Sequence, residues 1–231
     1  MKPIDLLTEY QALLAEFGKQ HWWPLTAGRW RGKTFRPSQK TPQPEHYSPH
    51  FEVIAGTILT QNTAWRNVEP SIRNLFDAGS LAPEPLVEMD DDALRAAIRS
   101  SGYFNQKADR LKRIARFIID DFSGNSAAMA SKIERDALLA LNGVGPETAD
   151  SILLYAGFRP FFVIDAYTRR WLQSFNIEFK NYEDYRRYFE DNLPRNVALY
   201  NEFHALIVRL QGRYYGGRLI PKPDNTGDLR Q

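Results

Sequence analysis

Two glycines and two carboxylates carry most of the chemistry legible in these 231 residues. Gly143 and Gly145 flank Val144 in the string LNGVGPETADS, residues 141–151. Without Cβ atoms at those two positions the backbone can turn tightly and leave N–H groups uncovered, and Pro146 pre-sets φ for the first turn of the next helix. Uncovered amides at a helix start, reinforced by the helix dipole, attract a phosphate oxygen without a cationic side chain. Glu147 falls in that first turn, and Asp165 follows in VIDAY, residues 163–167. A carboxylate beside an anion grip can oppose positive charge developing on a bound molecule and orient an attacking water. Each acid also has a plainer reading: Asp165 as the N-cap of the helix that begins AYTRRW, and Glu147 as a first-turn acid favoured by the dipole.

Three further strings add polar or aromatic groups. TQNT, residues 60–63, ends an apolar helix, and the amides of Gln61 and Asn62 can donate and accept to a ligand or simply close the helix. Trp22, Trp23 and Pro24 are either a packed corner or aromatic faces for a cationic ring. GYFNQKADRL, residues 102–111, leads from a glycine loop into a basic helix in which Leu111, Ile114 and Ile118 read as core, together with Tyr103 and Phe104. The cations of that helix, Lys107, Arg110, Lys112, Arg113 and Arg116, face only Asp109. Arg29, Arg31, Lys33, Arg36 and Lys40 form a second basic run, and Arg209, Arg213, Arg218 and Lys222 a third. A net charge of +2 does not itself announce a nucleic acid, and each run alone reads as a solvated face. Three runs and a phosphate-binding turn together point to DNA, with Lys107, Thr148 and the Gly143, Val144, Gly145 turn as contacts.

Apolar spacings of three and four recur through the chain, and no alternating run persists, so the expected fold is all-α. Helices are expected over 4–17, from near residue 50, and over 65–76, 91–99, 105–120, 134–141, 146–156, 166–174, 182–191 and 196–212. Leu138, Leu139 and Leu141 before the glycines, with Thr148, Ala149, Ile152, Leu153 and Ala156 after them, predict helix, hairpin, helix, stopped by Gly157. The proline-rich segment 22–49 reads as loop, and the tail 221–231 as frayed.

At 43% hydrophobic residues the chain can bury a substantial core. With no cysteine it forms no disulfide, thiolate zinc site, cysteine nucleophile or cysteine-ligated iron–sulfur cluster. His46 and His50 have Pro49 between them and no third ligand, so no metal or other cofactor is expected. No apolar run spans a bilayer, and the opening residues read as an amphipathic helix rather than a signal peptide. The expectation is an intracellular monomer with no membrane partner.

Taken together, WWP, TQNT, GYFNQKADRL, GVGPETAD and VIDAYTRR resemble the helix-hairpin-helix DNA glycosylases of the endonuclease III superfamily. Over roughly residues 20–215 the similarity is to the 3-methyladenine DNA glycosylase type. The resemblance implies two helical lobes with a cleft between them: a central lobe over 46–159 containing the hairpin, and a second built from 1–45 and 160–231. It implies that Asp165 is catalytic and that Gln61 and Asn62 lie where a polar residue fills the gap left by an everted base in double-stranded DNA. Trp22, Trp23 and Pro24 would line the base pocket, with Glu147 beside it. Strand-cleaving members carry a lysine where this chain has Glu147, and a carboxylate cannot form a Schiff base, which implies a monofunctional enzyme acting on an alkylated purine. QGRYYG, residues 211–216, resembles the start of the iron–sulfur loop of other members but lacks its cysteines. Two alternatives stay open: a glycosylase with lyase activity on oxidised bases, and a DNA-binding module without chemistry.

Overall fold

In the computed structural model, the backbone is described for residues 4–31, 34–37, 44–211, 214–215 and 218–219, and side chains for 4–27 and 44–211. The basic run at 29–40, the cations Arg213, Arg218 and Lys222, the 212–216 side chains and the tail 221–231 therefore lie outside the described side chains.

Asp5 opens the first helix, its Oδ1 accepting from the amides of Leu7 at 3.1 Å and Thr8 at 3.3 Å, and α1 runs over Leu6–Phe17. Three short strands follow, β1 (Pro24–Leu25), β2 (Gly28–Arg31) and β3 (Thr34–Pro37), pairing antiparallel in that order. This small sheet occupies part of the stretch expected as loop. Pro24 and Pro37 sit at strand ends, where a missing N–H interrupts no central ladder.

Ser48 caps α2 (Pro49–Leu59), with Oγ accepting from Phe51 N at 3.2 Å. Every residue from Phe51 to Leu59 is buried, the polar Glu52 and Thr57 included, because the helix is packed on all sides. Next come α3 (Trp65–Asp77), α4 (Pro83–Glu88), α5 (Asp91–Ala97), α6 (Phe104–Phe122) and α7 (Ser126–Lys132). Beyond them lie α8 (Arg135–Ala140), α9 (Pro146–Ser151), α10 (Ala166–Gln173), α11 (Tyr182–Asn192) and α12 (Val197–Gln211). A short antiparallel pair, β4 (Tyr214–Tyr215) and β5 (Arg218–Leu219), follows. Helices α4 and α7, of 6 and 7 residues, were not expected from the sequence, since so few residues give only a weak helical period. The helix expected over 146–156 is continuous but widens into a π-helical turn at Ile152–Ala156. No helix among the described residues is long and apolar enough to cross a membrane.

The fold is all-α apart from these short strands, with two helical lobes and a cleft. Helix α12 packs on α1 and α10 and also reaches the π-helical turn. Aromatic rings fill that end of the molecule: Phe162 stacks on Phe189 at 3.9 Å, and Phe203 lies edge-on to Trp171 at 5.5 Å. Helix α2 meets α3, α6, α7 and the π-helical turn at the other.

An ionic thread joins the two ends. Arg135 of α8 donates to both oxygens of the fully buried Asp150 of α9, at 2.6 and 3.1 Å, and to Glu183 of α11 at 2.7 Å. Arg186 bonds Glu183 at 3.0 Å and Glu190 at 2.5 Å. Glu190 then accepts from the amide of Phe162 at 2.9 Å, and the Tyr182 hydroxyl from that of Ile164 at 3.3 Å. The extended segment leading to Asp165 is thus held by α11, which is itself tied to the hairpin helices.

Candidate active site

The hairpin forms between α8 and α9, as the glycine spacing predicts. Gly143 has φ of 93°, and a Cβ there would also strike the Arg110 side chain, so both backbone and neighbour require glycine. Gly145 is extended and takes the N-cap position of α9 without any side-chain cap bond. The run of open amides is shorter than expected, because Val144 N donates to Leu141 O at 3.0 Å and the Val144 side chain is buried. Gly145 and the first turn of α9 form the helix start, where backbone amides lack an intrahelical partner.

Gln61 is a strut. Its Nε2 donates to Gly143 O at 3.0 Å and to Thr148 Oγ1 at 2.9 Å, while its Oε1 accepts from Arg110. Thr148, expected at DNA, is buried with its hydroxyl engaged in this bond. Asn62 is exposed and in the left-handed region, with φ of 51°. A cavity of about 410 Å³ brings Gln61 and Asn62 together with Arg110, the hairpin turn, Glu147 and Thr148.

Lys107 departs from its expected role. It is 1% exposed, and its Nζ donates to Leu59 O, Thr63 Oγ1 and Ser101 O at 2.7, 2.8 and 2.7 Å. All three ammonium protons are committed inside the protein, which leaves none for a phosphate. Burial and the charge of Arg110 push its pKa down to about 8. Tyr103, expected as core, is 65% exposed and left-handed, with φ of 47°. It sits on the loop that Thr63 Oγ1 ties to Asn62's loop by a 2.6 Å bond to Ser101 O.

Asp165 caps α10, accepting from Thr168 N at 2.7 Å. Its Oδ2 lies 3.4 Å from Nε2 of His204 on α12, and His204 Nδ1 is 2.5 Å from the Tyr155 hydroxyl. Burial pushes the Asp165 carboxyl up, but His204 and the Thr168 amide outweigh it and hold it below the ordinary value. The opposite happens at Glu147. Crowding by the protein and then the charge of Asp165 raise its pKa to about 7, although the side chain stays accessible to solvent. Two neighbouring carboxyls are therefore driven apart, one ionised and one near half-protonation at neutral pH.

The tryptophans divide between surface and core. Trp22 is half-buried, whereas Trp23 is 3% exposed and backs it edge-on at 5.1 Å. Trp65 closes the cluster, 4.9 Å from Trp22 and 5.2 Å from Trp23. Trp23 also packs on Tyr155 at 5.5 Å, so it meets the Asp165 group from behind rather than as an open wall. Helix α2 accommodates it through Gly56, where a Cβ would fall 2.3 Å from the indole. Pro24 is exposed and borders a smaller cavity beside Trp65. The segment after Pro24 is fastened by the buried Glu52, which accepts from Thr26 N at 2.7 Å and Tyr47 OH at 2.6 Å.

Sequence reasoning missed His204, Tyr155, Trp65 and Arg110 as parts of this group. No local signal marks the first two, since a lone histidine and a lone tyrosine on apolar helical faces read as core.

Comparison with known proteins gives a consistent picture. Residues 55–195 match the family described as HhH-GPD superfamily base excision DNA repair protein. A Methanocaldococcus jannaschii protein, whose name gives DNA repair glycosylase as a provisional assignment, is 40% identical over 206 residues, spanning 86% of this chain and 83% of that one. Endonuclease III of Thermotoga maritima is 28% identical over 177 residues, 76% of each chain. Among solved structures, the H. pylori 3-methyladenine DNA glycosylase MagIII bound to 1,N6-ethenoadenine aligns with a TM-score of 0.74 and 25% identity, over 92% of this chain and 99% of that one. A trapped endonuclease III–DNA covalent intermediate shares the fold, with a TM-score of 0.69 at 17% identity, over 95% and 92% of the two chains.

Proposed function

Because the chain belongs to the HhH-GPD superfamily of base excision DNA repair proteins, a family of DNA glycosylases, we propose that it is a monofunctional glycosylase that releases an alkylated purine from double-stranded DNA. The observation that carries this reading is the carboxyl pair, Asp165 held ionised at the start of α10 and Glu147, with a pKa of about 7, in the first turn of the hairpin helix α9. An amine at Glu147 would be needed for a covalent lyase route at that position, and a carboxyl cannot supply it. The likeness to the H. pylori 3-methyladenine glycosylase supports the substrate class.

In this account the hairpin end and Arg110 hold the backbone of the damaged strand. Asn62 and the exposed Tyr103 enter the duplex where the base leaves, and Gln61 braces that loop against the hairpin. The everted base stacks on Trp22, with Trp23 behind it; a ring made cationic by alkylation favours an aromatic face. The C1′–N bond breaks with its electron pair going to the base, which leaves neutral because it was already positive. Asp165 opposes the charge that builds on the sugar, orients the water that adds to C1′ and takes the proton that this water gives up. The central lobe is assigned to 46–159, and the second to 1–45 with 160–231.

Base release from a panel of duplexes carrying N-methylpurines, hypoxanthine, uracil or oxidised pyrimidines tests the reading. N-methylpurines should be released and oxidised pyrimidines left. Asp165→Asn should lose at least about 100-fold in release while binding an abasic-analogue duplex as the parent does. Release confined to oxidised pyrimidines would contradict the substrate class; binding without release of any base would favour the non-catalytic alternative.

A further inference from the structure

We propose that His204, set in one tautomer by Tyr155, is the positioning residue that orients the Asp165 carboxylate for base release. This rests on Asp165 being catalytic. The geometry is a chain of three side chains from three elements: Tyr155 on the π-helical turn, His204 on α12, and Asp165 at the start of α10. Tyr155 is 2% exposed, and burial, then the negative charges of Asp165 and Glu202, keep its phenol protonated far beyond neutral pH. A phenol that keeps its proton has one to give, and His204 Nδ1 lies 2.5 Å from the hydroxyl oxygen. In the proposed pairing Nδ1 accepts this bond, and Nε2 is then the ring's N–H donor toward Asp165.

Nε2 is the buried ring atom that faces the site. It has no well-aligned hydrogen-bond partner among the described residues, and Asp165 Oδ2 stands 3.4 Å away. Thr168 N holds Oδ1 at 2.7 Å. The carboxylate is therefore addressed at both oxygens, one by a backbone amide and one by the imidazole, which fixes its plane. Remove the imidazole and burial acts on Asp165 with only Thr168 to oppose it. A rise of one unit in the carboxyl pKa costs about tenfold in its ionised fraction at pH values below its midpoint. The other charged or titratable groups around this chain are Glu147 from α9, Arg169 on α10 and Glu202 on α12.

Single-turnover release of methylpurines from methylated duplex DNA, followed from pH 5 to 8, tests the link. His204→Leu should slow release by about tenfold or more at pH 7 and by a larger factor at pH 5, with binding to abasic-analogue duplex unchanged. His204→Gln, which keeps an N–H donor near the Nε2 position, should recover most of the rate. Tyr155→Phe should show a smaller loss than His204→Leu. Independently, nitrogen NMR of the parent protein should show an unprotonated Nδ1 and a protonated Nε2 for His204, identified among the 4 histidines by its disappearance in His204→Gln. A parental rate and pH profile in His204→Leu, with Asp165→Asn inactive, would overturn the positioning role alone, and so would a protonated Nδ1 with a bare Nε2. Parental release by Asp165→Asn would instead remove the catalytic reading and this proposal with it. If His204→Leu does not fold, the glutamine and phenylalanine variants and the NMR measurement decide the matter.

Discussion

Glu147 carries the most information per atom, because its identity argues against lyase chemistry and its surroundings give it a protonation state of its own. Its pKa of about 7 exceeds the ordinary carboxyl value of 4.5, so between those two pH values the folded chain holds a proton that the unfolded chain has lost. Stability contributed by this group is therefore present below about pH 4.5 and lost as pH rises through about 7. Glu147→Gln should flatten the decline in melting temperature across that window, as thermal unfolding followed by circular dichroism would show; an unchanged slope would mean that the carboxyl titrates normally. Asp165 contributes with the opposite sign, since its lowered carboxyl adds stability above the ordinary pKa that is lost on acidification. The sequence allowed two readings of Asp165, cap and catalyst, and the observed cap bond to Thr168 is compatible with the second. What it could not reveal was His204, because residues far apart in the chain meet only through the packing of α10 and α12.

Most helices were legible because long amphipathic segments display their period, and the hairpin was legible because glycine and proline constrain it. Some short elements were not: α4 and α7 show too weak a period, and β1 to β3 sit among prolines that argue for loop. Lys107 was read by its charge when its position said more. Lys107, Leu111, Ile114 and Ile118 recur at spacings of four, three and four, which puts the lysine on the buried stripe of α6. Its work is to pin α6 to the end of α2 and to the loop before Gly102, so that the rim holding Asn62 and Tyr103 keeps its shape. Lys107→Met should cost about 2–4 kcal/mol by leaving buried acceptors unsatisfied, measured by urea unfolding. Its effect on the salt dependence of DNA binding should be nil, in contrast to a phosphate-contacting lysine, whose loss lowers the slope by about one.

Across the whole molecule, the ionic thread through Arg135, Asp150, Glu183, Arg186 and Glu190 relates the hairpin proposed to hold the strand to the segment that carries Asp165. Arg135→Met leaves the buried Asp150 without its ionic partner and should destabilise the fold by about 3–5 kcal/mol in urea unfolding. A loss below about 1 kcal/mol would mean that the thread is an ornament of the surface. Two lobes meeting at such a thread suit an enzyme that must fix the distance between a held phosphate and the sugar beyond it. The central claim is base release without strand cleavage, and one measurement addresses it: duplex DNA carrying an N-methylpurine, incubated with the protein and resolved for free base and strand breaks with and without alkali. Free base with an intact strand that breaks only on alkali treatment is expected; breakage without alkali, with a borohydride-trapped protein–DNA adduct, would contradict base release without lyase chemistry.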